Sequence, residues 1–160
     1  MSTHAIEMKV VDEPGVITRI TGLFSRRAFN IDTITVGKTQ TEGISKIVFT
    51  LTTNEETHIH QVQRQCEKLI DVIEVRELPL SSSAIREMCL VKVAFKNPDE
   101  AKEIEKFAKS HRFEVIYKNG KHLVIEMMAE SEKIEIFLEQ MKRFGIIDIS
   151  RTGVTGISLD

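Results

Sequence analysis

The sequence predicts an α+β protein built as two successive βαββαβ units. Three observations carry that reading. Short apolar stretches with a period of two alternate with stretches of helical period. The polar, proline-containing run PLSSS at residues 79–83 interrupts the pattern. Beyond it the same order of elements begins again, although the two halves show no repeat in sequence.

Residues 4–11 alternate and read as the first strand. Pro14-Gly15 then stands where a strand becomes a helix, and Val16, Ile17, Ile20, Leu23 and Phe24 recur at helical spacing. Gly22 lies inside that helix, where a small residue permits close packing. A strand over 31–38 and a turn-rich segment at 39–43 lead to a strand with Ile47, Phe49 and Leu51 on one face. Asn54 is a candidate cap for a second helix bearing Ile59, Val62, Cys66 and Leu69, and 72–77 supplies the last strand. This order is the ferredoxin-like unit.

In the second half, residues 88–95 read as a strand, and Asn97-Pro98-Asp99 puts proline at the start of a helix carrying Ala101, Ile104, Phe107 and Ala108. Segments 113–117 and 122–128 flank Asn119-Gly120, a strong hairpin signal. A helix from Glu130 or Ser131 carries Ile134, Phe137, Leu138 and Met141, stops near Gly145, and gives way to a closing strand at 146–150. The predicted fold class is therefore α+β, two ferredoxin-like domains in tandem, divided as 1–79 and 80–160.

The charge balance bounds the partners. With 22 basic and 24 acidic residues the net charge is −2, which argues against a nucleic-acid or anionic-membrane surface, since either needs a basic patch. No apolar run approaches the roughly 20 residues of a membrane span, and no secretion signal opens the chain, so a cytoplasmic protein is expected. Cys66 and Cys89 form no C-x-x-C and are expected to be reduced thiols.

Several chemical readings fall away. His58 and His60, two apart on a helix, point to different faces and form no ligand set with Cys66, so no metal is expected. Gly153-Val154-Thr155-Gly156 is too short for a dinucleotide loop and reads as a flexible turn. Arg26-Arg27 complements a helix dipole or makes a subunit contact. Charged residues such as Glu100, Lys102 and Glu103 read as a solvated helix face. No nucleophile elbow, P-loop, zinc-protease motif or RNA-recognition aromatic pattern is present.

One stretch does carry chemistry, DEPGVITRITGLFSRRAFNIDTITVG at residues 12–37. Glycine at the strand-to-helix junction lets a ligand approach the main chain. The N–H groups of the first helical turn and the helix dipole favour a carboxylate there. Asp12 offers a partner for an ammonium, and the amide of Asn30 both donates and accepts. Together these suit an α-amino acid. The same spacing also fits Asp12 or Glu13 capping the helix and Asn30 turning the chain.

The strings P-G-V at 14–16, G-L-F-S-R-R at 22–27, F-N-I at 29–31 and T-V-G at 35–37 closely resemble the ACT domain of the small, regulatory subunit of acetolactate synthase, also called acetohydroxyacid synthase. K-L-I-D-V-I-E-V at 68–75, R-E at 86–87, L-V-K-V at 90–93 and S-R-T-G at 150–153 extend the resemblance, in order, over nearly the whole chain. The resemblance implies an ACT amino-acid-binding domain at 1–79 and the small subunit's C-terminal ferredoxin-like domain at 80–160.

It further implies a chain with no catalytic residue and no cofactor of its own. Such a chain activates a large catalytic subunit that carries thiamine diphosphate, Mg²⁺ and FAD, and confers feedback inhibition by a branched-chain amino acid, commonly valine. The thiamine-diphosphate signature, Gly-Asp-Gly followed by an Asn pair, is absent here, so carbon–carbon bond formation is expected on the other polypeptide. A homodimer or higher oligomer through the ACT domain is implied, its sheets extended edge to edge across a two-fold. Gly15 and Val16 would present main-chain N–H groups to the effector carboxylate, Asn30 and Ile31 would come from the facing subunit, and Asp12 would take the ammonium. Asp12 stands where the family often has Asn, and Ala28 replaces a usual glycine. A free-standing amino-acid sensor is the rival reading.

Overall fold

The computed structural model describes residues 2–27 and 29–160, with only the backbone at Glu56. The first part of the chain forms β1 (Ser2–Val11), α1 (Val16–Arg26), β2 (Thr33–Lys38), β3 (Ile44–Thr53), α2 (Glu56–Cys66) and β4 (Val72–Glu77). A short 3-10 turn at Leu80–Ser82 leads into β5 (Ser83–Ala94), α3 (Pro98–Ser110), β6 (Glu114–Lys118), β7 (His122–Ala129) and α4 (Ser131–Met141). After a second such turn, Lys142–Phe144, the chain ends with β8 (Ile146–Arg151) and β9 (Thr155–Ser158). The sheets are antiparallel, with strand orders β2-β3-β1-β4 and β6-β7-β5-β8, and β9 pairs with β5. The chain is thus two ferredoxin-like units in tandem.

Strand alternation decides which face is buried. In the first unit Ile6, Met8 and Val10 of β1 and Ile47, Phe49 and Leu51 of β3 meet Val16, Ile20 and Phe24 of α1 and Ile59 and Val62 of α2 in one core. In the second, Cys89, Val91 and Val93 of β5 and Leu123, Ile125 and Met127 of β7 meet Ile104 of α3 and Phe137 of α4. Each cysteine is buried in the core of its own unit. Burial pushes the Cys66 thiol pKa up to about 12 and that of Cys89 up to about 11.

A repeat invisible in the sequence shows in the strand register. The first strand of each unit slips by one irregularity against the last, between Lys9 and Val10 in β1 and between Lys92 and Val93 in β5. Aligned on that slip, His4 matches Glu87 and Glu77 matches Arg151. Both positions hold a polar pair across the strands: His4 Nδ1 with Glu77 Oε1 at 2.7 Å, and Arg151 Nε donating to Glu87 Oε1 at 2.5 Å. The acid has changed strands between the units.

The units divide the chain as Met1–Ile85 with Gly153–Asp160, and Arg86–Thr152. The last eight residues, grouped above with the second half, therefore return to the first. Residues 5 and 48 point away from the helices of the first unit, since their neighbours Ile6 and Phe49 point towards them. Ala5 and Val48 are covered instead by Val154, with Leu78 and Ile85 beside them. The Leu159 N–H donates to the Ser82 carbonyl at 2.9 Å. Residues 155–158 are a strand, so Thr155 and Gly156 are strand residues rather than part of the turn expected from the composition of the Gly153–Gly156 run.

Helix starts follow local hydrogen bonding. Asn97 caps α3, with Pro98 in its first turn as expected, and its Oδ1 accepts from the Asp99 N–H at 3.1 Å and the Glu100 N–H at 2.9 Å. Asn54 does not cap α2. The Thr53 hydroxyl instead accepts the Glu55 N–H at 3.1 Å, one residue upstream of the expected cap. The Asn119-Gly120 hairpin forms without a left-handed residue at either position. Asn119 Oδ1 ties the loop by accepting from the N–H groups of Lys121, at 2.8 Å, and His122, at 2.9 Å.

Candidate functional site

Pro14 and Gly15 occupy the centre of a tight turn between β1 and α1. The Val16 N–H reaches back to the Glu13 carbonyl at 3.4 Å, and Gly15 has φ 87° and ψ −7°. Proline followed by a left-handed residue is the type II pattern, which only glycine adopts readily. The Gly15 carbonyl accepts from the Arg19 N–H at 3.0 Å and so begins the helix. Among the described residues, the N–H groups of Gly15, Ile17 and Thr18 have no main-chain acceptor. The helix thus opens with free donors and its positive dipole end. The Val16 N–H, expected to face a ligand, closes the turn, and its side chain is buried in the core.

Asp12 is exposed beside this turn, its N–H bonded to the Gly43 carbonyl at 2.8 Å.

Arg19 was not among the residues singled out from the sequence. Its guanidinium grips Asp71, at the entrance to β4, through Nε at 2.6 Å and Nη2 at 2.9 Å. The remaining nitrogen, Nη1, lies 2.9 Å from where a side chain on Gly15 would begin. The hydrogen bond from Arg19 holds the Asp71 carboxyl below the usual carboxylate range, and Asp71 raises Arg19 in return. The one legible signal was the spacing: a basic residue four after the glycine stands one helical turn above it.

Asn30 lies elsewhere. It follows the far end of α1, where its Nδ2 donates to Asp32 Oδ1 at 2.9 Å, and Asp32 Oδ2 accepts from the Thr52 hydroxyl at 2.8 Å. It borders a cleft of about 630 Å³ together with Arg27, Phe29, His58, Gln61 and Gln65. Arg27 Nη2 donates to Gln65 Oε1 at 3.2 Å, so this member of the Arg26-Arg27 pair is bonded across to α2. Ile31 is half-buried against the core and offers a ligand its main chain more readily than its side chain. Ala28 lies outside the described residues. Eleven residues of α1 separate the Gly15 end from the Asn30 end, a rise of about 16 Å. A single chain does not bring these two groups together.

Residues 6–74 match the family described as the AHAS small subunit-like ACT domain, and residues 86–160 match the small subunit of acetolactate synthase. The chain belongs to the acetolactate synthase small-subunit family. It is 39% identical over 156 residues to a probable acetolactate synthase small subunit of Methanothermobacter thermautotrophicus, covering 98% of this chain and 92% of that one. It is 38% identical over 153 residues to the acetolactate synthase small subunit of Bacillus subtilis, covering 96% and 88%. The crystal structure of the small subunit from Thermotoga maritima superposes with a TM-score of 0.89 at 31% identity, over 99% of this chain and 98% of that one.

Within the family's ACT domain lie Asp12, Gly15, Val16, Asn30 and Ile31, as well as Arg19 and Asp71. The family's second domain runs to residue 160 and so includes the tail that packs into the first unit. Among the described residues no cluster of acidic, histidine or cysteine side chains is arranged to hold a metal, and no helix is long and apolar enough to cross a membrane.

Proposed function

We propose that this chain is the regulatory subunit of an acetolactate synthase: it activates a thiamine-diphosphate-dependent large subunit and makes it sensitive to a branched-chain amino acid, valine foremost. The thiamine diphosphate, Mg²⁺ and FAD belong to that other polypeptide. The observation that carries the reading is the separation of Gly15 from Asn30 by the length of α1. Each chain holds one half of an amino-acid site at either end of one helix, and a two-fold pairing of ACT domains sets the first half of one subunit against the second half of its neighbour.

In that pairing the free N–H groups at the start of α1 receive the effector carboxylate, and Asp12 with the neighbour's Asn30 receives the ammonium. Inhibition follows from linkage. The effector lowers activity only by binding the inhibited arrangement of subunits more tightly, and a tenfold preference corresponds to about 1.4 kcal/mol. A few hydrogen bonds supply that much.

Subunit mixing tests the shared site. Gly15→Ala and Asn30→Ala are each expected to weaken valine binding strongly in calorimetry, whereas mixed dimers of the two regain one intact site. No recovery on mixing, with both variants dimeric, would exclude a site shared across subunits. Pull-down and activation assays with the large subunit separate this reading from a free-standing sensor, which binds the amino acid but shows no synthase partner.

A further inference from the structure

Arg112 follows α3 in the left-handed conformation, at φ 62°, and is the only non-glycine residue among those described with a positive φ. Its N–H donates to the Lys109 carbonyl at 3.0 Å, and the Phe113 N–H donates to the Ala108 carbonyl at 2.9 Å. Those paired bonds end a helix on a left-handed residue, a position that strongly favours glycine. An arginine there carries conformational strain, and strain of this kind directs attention to what the side chain does.

Arg112 borders a cleft of about 280 Å³ in the second unit, together with Arg86, His111 and Lys133. One carboxylate, Glu130, stands among these cations and pairs with Arg86 at 3.5 Å and with Lys133 at 3.6 Å. Among the described residues Arg112 has no ion-pair partner. The lining is therefore positive although the chain as a whole carries −2. Phe113, Ala129, Met128 and Ile136 make the rest of the wall, with Met128 66% and Ile136 50% exposed. Cations beside uncovered aliphatic surface suit a molecule with one anionic and one apolar end. The volume lies just below the roughly 300–1,000 Å³ of ordinary ligand pockets and so suits a small molecule.

We propose that this cleft binds a free carboxylic acid anion with a short aliphatic tail. The carboxylate lies against Arg112 and Lys133, and the tail covers Met128 and Ile136. The site uses none of the residues of the amino-acid crevice and stands independently of the reading above.

The test is NMR of the full chain with butyrate as probe, inorganic phosphate as an anion without a tail, and butyramide as a tail without a charge. Butyrate is expected to shift the amides of residues 111–113 and the methyls of Met128 and Ile136 with a single saturable isotherm. Butyramide is expected to bind at least tenfold more weakly, and phosphate to leave the methyls unmoved. Arg112→Gly separates folding from binding: it relieves the strained φ and raises the Tm, yet lowers butyrate affinity at least tenfold. Equal butyrate affinity in Arg112→Gly, non-saturating shifts spread over the surface, or methyl shifts that depend on protein concentration rather than on butyrate would overturn the proposal.

Discussion

Arg19 and Gly15 constrain one another across the first turn of α1. The guanidinium, held by two bonds to Asp71, leaves its Nη1 2.9 Å from the position of a Cβ on residue 15. Gly15 is required twice, by its φ of 87° and by the arginine packed over it.

Gly15→Ala is therefore expected to destabilise the first unit by roughly 1–2 kcal/mol for the left-handed conformation alone. The arginine end can shift, so its displacement adds less. Urea unfolding measures the loss, and calorimetry with valine is expected to show binding weakened beyond what the stability change explains.

The Arg19–Asp71 pair makes a pH prediction. Asp71 titrates below its ordinary value of 3.8 in the folded chain, chiefly through the hydrogen bond from Arg19. A carboxyl depressed on folding adds stability above its unfolded pKa and loses it as pH falls through the folded value. The stability gap between wild type and Asp71→Asn is thus expected to be full at pH 7 and to close in acid below about pH 4. A gap that stays constant into acid would show that the pair contributes nothing through charge.

In the second unit, Glu87 is buried and held by Arg151 and by the Ser131 hydroxyl at 2.7 Å, while Arg151 also pairs with Glu135. Burial works to raise the Glu87 pKa, but the bonds from Arg151 and Ser131 outweigh it and hold the carboxyl below its usual range. Arg151→Met leaves a buried carboxylate without its cation and is expected to cost about 2–3 kcal/mol. Combining it with Glu87→Gln is expected to recover part of the loss, giving a non-zero coupling in a double-mutant cycle.

The tail offers a fourth test. Val154→Ala removes two methyl groups from the contact with Ala5, Val48, Leu78 and Ile85, a loss of roughly 1–2 kcal/mol. Gly153→Ala would set a Cβ 2.8 Å from the Ile34 carbonyl oxygen, a main-chain atom with little room to yield, and is expected to unfold the first unit at lower urea. A chain cut after Leu80 also loses this cover, so a regulatory defect in it reports on the first unit as well as on the missing second one.

The order of elements was legible because local physics sets it. Alternation at residues 4–11, the period of Val16 to Phe24, the proline and glycine between them, and Pro98 at the start of α3 each act within one turn or one strand. Gly15 was legible for the same reason, since a Pro-Gly pair specifies its own turn. What the sequence alone could not determine lies in contacts far apart along the chain. Arg19 meets Asp71 across 52 residues, Glu87 meets Arg151 across 64, and Val154 lies under a sheet that the N-terminus begins. No periodicity encodes such partners, because apolar burial is indifferent to which distant segment supplies the cover. Tertiary structure alone decided that the last eight residues return to the first unit, and that Gly15 and Asn30 stand at opposite ends of one rigid helix.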